Sequence, residues 1–254
     1  RLPVLIGLSE GERKFFGTKE ASALVRSLRE QNLPVFLNAD HCHTFESVKE
    51  AVEAGFDSVI FDGAQLPFEE NLQKTREAVA LVKSMNPRVL VEGEVGYIGA
   101  SSQLLDKLPE GAATTLAQFT TLEQATMFVQ ETKVDLFAPA VGNIHGMFKE
   151  VYPERAKRVE GLDIERIKEI RRAAGVPLVL HGGSGIQDED FIKAIEAGMC
   201  VVHINTEIRK AWRQGVEEAL QENPDEVTPY RLLAPAFDKI AQLVESRLRL
   251  FSRS

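Results

Sequence analysis

The sequence predicts an α/β fold, a parallel β/α barrel, and three observations carry that expectation. Seven short apolar runs of strand length alternate with longer stretches of helical period, and repeated strand-then-helix order makes a parallel sheet. Histidine, acidic residues or glycine stand where several of these runs give out, and in a β/α barrel such strand ends converge on one mouth. The length of 254 residues suits one undivided barrel, whose typical size is about 250.

Taken in order, strands are expected from Val4 to Ser9, Val35 to Asp40, Ser58 to Gly63, Arg88 to Gly96, Asp135 to Gly142, Pro177 to Gly183 and Val201 to Thr206. The segments "FESVKEAVEAG" and "DEDFIKAIEAG" between them place apolar residues three and four apart, start beside acidic residues and stop at Gly55 and Gly198. That is the pattern of amphipathic helices with glycine at the C-terminal cap. From Leu232 onward the chain reads as a further amphipathic helix, expected to pack on the barrel or on a partner subunit. No linker, low-complexity tract or sequence repeat divides the chain, so a single domain over residues 1–254 is expected. A closed barrel uses eight strands, and "RLPVLIGLS" opens almost inside a strand. The first βα unit is therefore expected to be absent from the N-terminus.

Charge and composition exclude several function classes. A net charge of −8 leaves no basic surface for a sequence-independent grip on nucleic acid, which needs cations to displace counterions from phosphates. The longest apolar runs are too short to span a membrane, which takes roughly 18 residues. Cys42 and Cys200 are far apart and form no CxxC pair, so neither a disulfide framework nor a thiolate zinc knuckle is expected. With no signal-like start, a cytoplasmic setting is expected.

Three of the five histidines stand where a strand runs out: His41 in "FLNADHCH", His145 in "APAVGNIHG" and His181 in "LVLHGGSG". Three imidazoles brought to one mouth by separate strands are a nitrogen set for a catalytic zinc, with positions left for water or substrate. Asp40 precedes His41, and in a regular strand the two would face opposite ways. Both serve one site only if the strand bends there, and then Asp40 can move a proton to or from substrate. Glu92 and Glu94, two apart in "VEGEVG", share a strand face. They are either a second metal position or partners that orient the histidines, and Asp62 carries the same ambiguity with a lean to orientation or a turn. The glycine-rich "GNIHGMFK" and "HGGSG" can turn backbone N–H groups toward a phosphate, with Lys149, Ser184, Asn205 and Thr206 in reach. His203 shares a face with Asn205 on the last strand and is a candidate for proton transfer. His43 reads as a loop residue.

Together, "NADHCHTFESVKEAVEAGFDSVIFDGAQLPFEEN", "VEGEVGYIG", "VDLFAPAVGNIHGMFK", "PLVLHGGSGIQDEDFIKAIEAG" and "INTEIR" closely resemble the class II, zinc-dependent ketose-bisphosphate aldolases. The resemblance runs from about Val4 to Arg209 and implies a barrel whose first strand precedes Arg1. It implies that His41, His145 and His181 hold zinc, that Glu94 meets the metal in an alternative buried position, and that Asp40 is the acid/base on the substrate hydroxyl. It places Gly146, Lys149, Gly182, Gly183, Ser184, Asn205 and Thr206 around one phosphate and Ser9 near the other. It further implies a phosphorylated ketose as substrate, a homodimer or homotetramer, and an assisting monovalent cation.

Two departures matter. Where the family continues past "EVGYIG" with an acidic pair, this chain reads "ASSQ", so the proton step on the dihydroxyacetone phosphate carbon lacks its usual agent. His203 replaces an asparagine two residues before the "NT" of the last strand. Reversible aldol cleavage of a phosphorylated ketose is the function expected, with altered substrate, non-catalytic sugar-phosphate binding and metal-dependent hydrolysis as rivals. A Schiff-base mechanism needs a lysine at a strand's C-terminal end, whereas Lys133 precedes its strand.

Overall fold

A computed structural model describes residues 2–99, 102–148 and 161–252. The chain runs β1 (Val4–Ser9), α1 (Glu10–Phe16), α2 (Thr18–Glu30), β2 (Val35–Cys42), α3 (Phe45–Ala54), β3 (Ser58–Phe61), α4 (Phe68–Met85), β4 (Leu90–Val95) and β5 (Leu104–Leu105). It continues with α5 (Leu122–Thr132), β6 (Leu136–Pro139), β7 (Met147–Phe148), α6 (Ile164–Ala174), β8 (Leu178–Leu180), α7 (Asp188–Ala197), β9 (Met199–Val202), α8 (Thr206–Glu222) and α9 (Pro229–Phe251).

All seven expected strands form. They pair in parallel and in chain order, β1-β2-β3-β4-β6-β8-β9. The sheet is open among the described residues, seven parallel strands with β1 and β9 as its edges, one short of the eight that a closed barrel uses. The ladders are shorter than the apolar runs. His203 and Asn205, expected on the last strand, lie just beyond β9 in the turn that leads to α8.

Strands β3, β6 and β8 are buried on both faces, as in a parallel sheet covered by helices. On the helix side, Val59, Phe61, Phe137, Leu178 and Leu180 join Phe128, Ile167, Ile170 and Phe191 in the main core. Each fully buried side chain of this size contributes roughly 1.5–3 kcal/mol. On the inner side, Leu136, Ala138 and Val179 make a smaller cluster under Val201. Gly93 separates two inward glutamates on β4, and a Cβ there would come 2.7 Å from the Phe128 ring on the helix side.

Local chemistry sets the helix ends. The Thr44 hydroxyl accepts from Ser47 N at 3.1 Å to start α3, and Gly55 ends it in the left-handed region, as the sequence predicts. The C-terminal helix starts at Pro229, earlier than expected, and packs along α8. Its end returns to the core, where Phe251 meets Phe191 of α7 at 5.1 Å. No helix among the described residues is long and apolar enough to cross a membrane.

Candidate metal centre

Strand β2 solves the problem that Asp40 and His41 pose as neighbours. Its register against β3 passes from Ala39↔Val59 to Cys42↔Phe61, so β2 takes three steps where β3 takes two. The extra residue is a β-bulge, a device that re-aims side chains beside sites, and His41 takes a φ of +49° within it. Both side chains then reach the same mouth. His145 lies in the loop after β6, its backbone N donating to Ile98 O at 2.9 Å. His181 follows β8 directly and is fully buried.

One ligand nitrogen from each of His41, His145 and His181 falls within 4.8 Å of the other two. His41 Nε2, His145 Nε2 and His181 Nδ1 are buried with no hydrogen-bond partner. The other nitrogens of two of the rings are held by carboxylates: His41 Nδ1 lies 2.8 Å from Asp62 Oδ2 and His181 Nε2 lies 2.7 Å from Glu92 Oε1. Orphaned nitrogens facing one point, with acidic groups behind the rings, are the donor set of a divalent metal with oriented imidazoles. The residues present fit zinc.

The expected residues gather as follows. Asp40 Oδ1 stands 3.7 Å from His41 Nε2 and 3.9 Å from both His181 Nδ1 and His203 Nδ1. The His203 ring stacks on His181 at 4.5 Å, and its Nε2 is also buried without a partner. Glu94 Oε2, another unpartnered buried atom, is 3.8 Å from His41 Nδ1 and groups with His41 and Asp62 as a second candidate metal position. Gly146, Gly182, Gly183, Ser184, Asn205 and Thr206 line one cavity of about 650 Å³ together with Asp40, His145, His181 and His203. The Ser184 hydroxyl accepts from Asn205 N at 3.1 Å and Glu207 N at 3.3 Å, so it caps the start of α8. Ser9 is likewise engaged: it caps α1, and its hydroxyl donates to Glu12 Oε2 at 2.8 Å. Lys149 and the first two residues of "ASSQ" lie outside the described residues.

Electrostatics follow from this crowding. Burial pushes the Asp40 carboxyl up, but the imidazoles of His41, His203, His181 and His145 outweigh it and hold the pKa at about 2. Burial pulls His41 down, and Asp40, Asp62 and Glu94 more than reverse it, to about 10. For His145, burial and the His41 and His181 imidazoles outweigh the pull of Asp40 and Asp62 and take it to about 3. Burial, then Asp62, raises Glu94 to about 8. Burial would raise Asp62, but its hydrogen bonds to His41 and His43 bring it well below the ordinary range.

Two features have no clear signal in the sequence. Asn143 donates to His181 O at 3.0 Å and ties two ligand-bearing loops together. Arg13, in the charged stretch "EGERKFF", is only 4% exposed. His43 lies in a loop, as expected, with its Nε2 3.5 Å from Asp62 Oδ2, behind His41.

A parallel β/α sheet that delivers three imidazoles, with an aspartate among them, to one buried point at its strand ends is the frame of a barrel enzyme built round a metal position. Residues 1–254 match the family model for class-II fructose-bisphosphate aldolase, and the chain belongs to that family. It is an aldolase, a lyase of carbon–carbon bonds. It is 34% identical to a probable fructose-bisphosphate aldolase of Bacillus subtilis over 99% of this chain and 84% of that one. It is 31% identical to a sulfofructosephosphate aldolase of Alkalicoccus urumqiensis over 98% and 82%. The crystal structure of a putative fructose-1,6-bisphosphate aldolase from Coccidioides immitis superposes with a TM-score of 0.78 at 28% identity, covering 98% of this chain and 82% of that one.

Proposed function

We propose that this aldolase is zinc-dependent and cleaves a phosphorylated ketose, akin to fructose 1,6-bisphosphate, reversibly to dihydroxyacetone phosphate and an aldehyde. The observation that carries the reading is the set of three unpartnered nitrogens, on His41, His145 and His181, grouped within 4.8 Å of one another, with His145 and His181 lining the cavity. Zinc bound there would polarise the substrate carbonyl as a Lewis acid.

The chain's own residues do the rest. Asp40, ionised down to a pKa of about 2, takes the proton from the hydroxyl next to the bond that breaks. Gly182, Gly183, Ser184, Asn205 and Thr206 surround the phosphate at the start of α8, and Gly182, Gly183 and Gly146 keep that wall free of side chains. His203, beside Asp40 and aimed into the cavity, moves the proton on the triose carbon that the family's acidic pair would otherwise handle. Asp62 and Glu92 orient His41 and His181, and Glu94 offers the metal its alternative position.

A strand lying between the β1 and β9 edges would complete an eight-stranded single-domain barrel. A cytoplasmic homodimer or homotetramer assisted by a monovalent cation completes the reading. His203 in place of asparagine favours a second substrate assignment, a different phosphorylated or sulfonated ketose. Triose release from a panel of both kinds of ketose, with added zinc and with chelator, tests the proposal. Cleavage of at least one member that chelation stops and zinc restores is the expected result. Cleavage indifferent to chelation, or covalent trapping by borohydride, overturns it.

A further inference from the structure

Arg13 is the buried cation of this fold with the least ordinary company. It sits on α1 with 4% exposure, and its partners are two backbone carbonyls, a thiol and a hydroxyl. Nη1 donates to Leu8 O and, at 3.4 Å, to Asp40 O. Nη2 donates to Cys42 Sγ at 3.3 Å and to Ser47 Oγ at 2.9 Å. Among the described residues no carboxylate is paired with it. A buried guanidinium left to neutral acceptors is costly, and such a cost persists where the geometry it enforces is needed.

That geometry is the bulge of β2. The extra residue falls between Ala39 and Cys42, and a bulge leaves backbone groups outside the ladder. The planar fork of Arg13 reaches both flanks of His41, the Asp40 carbonyl on one side and the Cys42 sulfur on the other. It also grips Leu8 O on the neighbouring strand. His41 itself has a φ of +49°, a conformation a non-glycine residue holds only when its surroundings impose it.

We infer that Arg13 is a positioning residue for the metal ligand His41 and the proton carrier Asp40, because it pins the bulge that turns both side chains into one site. The inference rests on the function proposed above. Lysine keeps the charge but cannot form the fork, and methionine keeps only the apolar stem.

Cobalt-substituted protein separates the possibilities, since its visible bands report ligand geometry directly. Wild type, Arg13→Lys and Arg13→Met are compared for thermal unfolding, cobalt spectrum, metal affinity, and kcat against KM for the ketose that wild type cleaves. Both variants are expected to unfold cooperatively, to show altered cobalt bands, and to lose about tenfold to a hundredfold in metal affinity and kcat, with KM nearly unchanged. If Arg13→Met does not fold, Arg13→Lys decides alone. Variants that fold with wild-type cobalt bands and kcat overturn the inference. A wild-type protein that binds no cobalt through imidazole overturns the zinc reading itself, a separate outcome.

Discussion

Glu92 Oε1 lies 2.7 Å from His181 Nε2, and both side chains are 1% exposed. The contact aims the ring: with a metal held at Nδ1, Glu92 would accept from Nε2–H and keep Nδ1 turned toward His41 and His145. Glu92→Gln keeps the shape and removes the charge, and is expected to weaken zinc binding about tenfold; Glu92→Ala should cost nearer a hundredfold. Competition with a chromogenic chelator measures both. Zinc affinity unchanged in Glu92→Ala would remove this glutamate from the metal centre.

Asp40 separates metal binding from turnover. Its Oδ1 is 3.7–3.9 Å from three imidazole nitrogens, a neighbour of the metal position to which the proposed function gives proton transfer. Asp40→Ala is expected to lower kcat by about a hundredfold to ten-thousandfold while zinc content per chain stays at the wild-type level. Elemental analysis beside a coupled triose assay checks the split, and retention of most activity would sink the assignment.

These two residues also show how far the sequence could be read. Glu92 was legible as an inward carboxylate because strand periodicity places it with Glu94, yet periodicity left open whether it binds metal or orients a ligand. The structure pairs it with His181, a residue 89 positions away. Asp40 with His41 was legible only as a condition, that the strand must bend, and the bulge appears only in the register of β2 against β3, which no local pattern reports. Strand cores were readable from apolar runs, but their ends were not. The last strand ends at Val202, although His203 still bonds through its backbone to Leu180 O and Gly183 N, and past it Asn205 N–H turns to the Ser184 hydroxyl at the start of α8. The two-residue strands β5 and β7 have no period to detect.

Gly182 links the ligand loops. Its φ is +63°, and a Cβ would come 2.6 Å from the backbone carbonyl of Ile144, next to His145. Alanine there strains the backbone and pushes the two loops apart. Gly182→Ala is expected to lower metal affinity at least about tenfold, with far smaller loss for Gly175→Ala, where an added Cβ meets nothing within 4 Å. Metal titration of both variants tests the contrast, and equal affinities would refute it.

His203 is expected to act on the triose carbon. Its Nε2 is buried without a partner and its ring lies against His181, so the nitrogen is available to substrate. His203→Asn, which restores the family's residue without restoring its acidic pair, should slow exchange of solvent deuterium into dihydroxyacetone phosphate about a hundredfold. Zinc content should hold. Proton NMR follows the exchange directly, and an unchanged rate would assign that step elsewhere.

The metal-free protein should lose stability as pH rises above 6.5, a loss that bound zinc should offset. His41, raised from 6.5 to about 10, contributes stability that is fully present below 6.5 and is lost as pH rises through 10. Glu94, raised from 4.5 to about 8, keeps its proton in the fold while the unfolded chain has lost it, so stability also falls with rising pH across that window. On the acid side, Asp40, lowered from 3.8 to about 2, contributes stability that is present above 3.8 and lost as pH falls through 2. His145, lowered from 6.5 to about 3, leaves the unfolded chain binding the extra proton, so stability declines as pH falls below 6.5. The slopes of His145 and Glu94 cancel between 4.5 and 6.5, and above 6.5 those of His41 and Glu94 add. Chelated protein should therefore melt at its highest temperature in the weakly acid range and lose stability from pH 6.5 toward 8, at roughly 1.4 kcal/mol per pH unit for each full proton of difference. Zinc binds only after His41 releases its proton, so stabilisation by zinc should grow over that same range. Calorimetry with and without chelator at matched pH tests both slopes. A chelated protein whose melting temperature climbs from pH 6.5 to 8 would show that the charge pattern drawn for His41 and Glu94 is wrong.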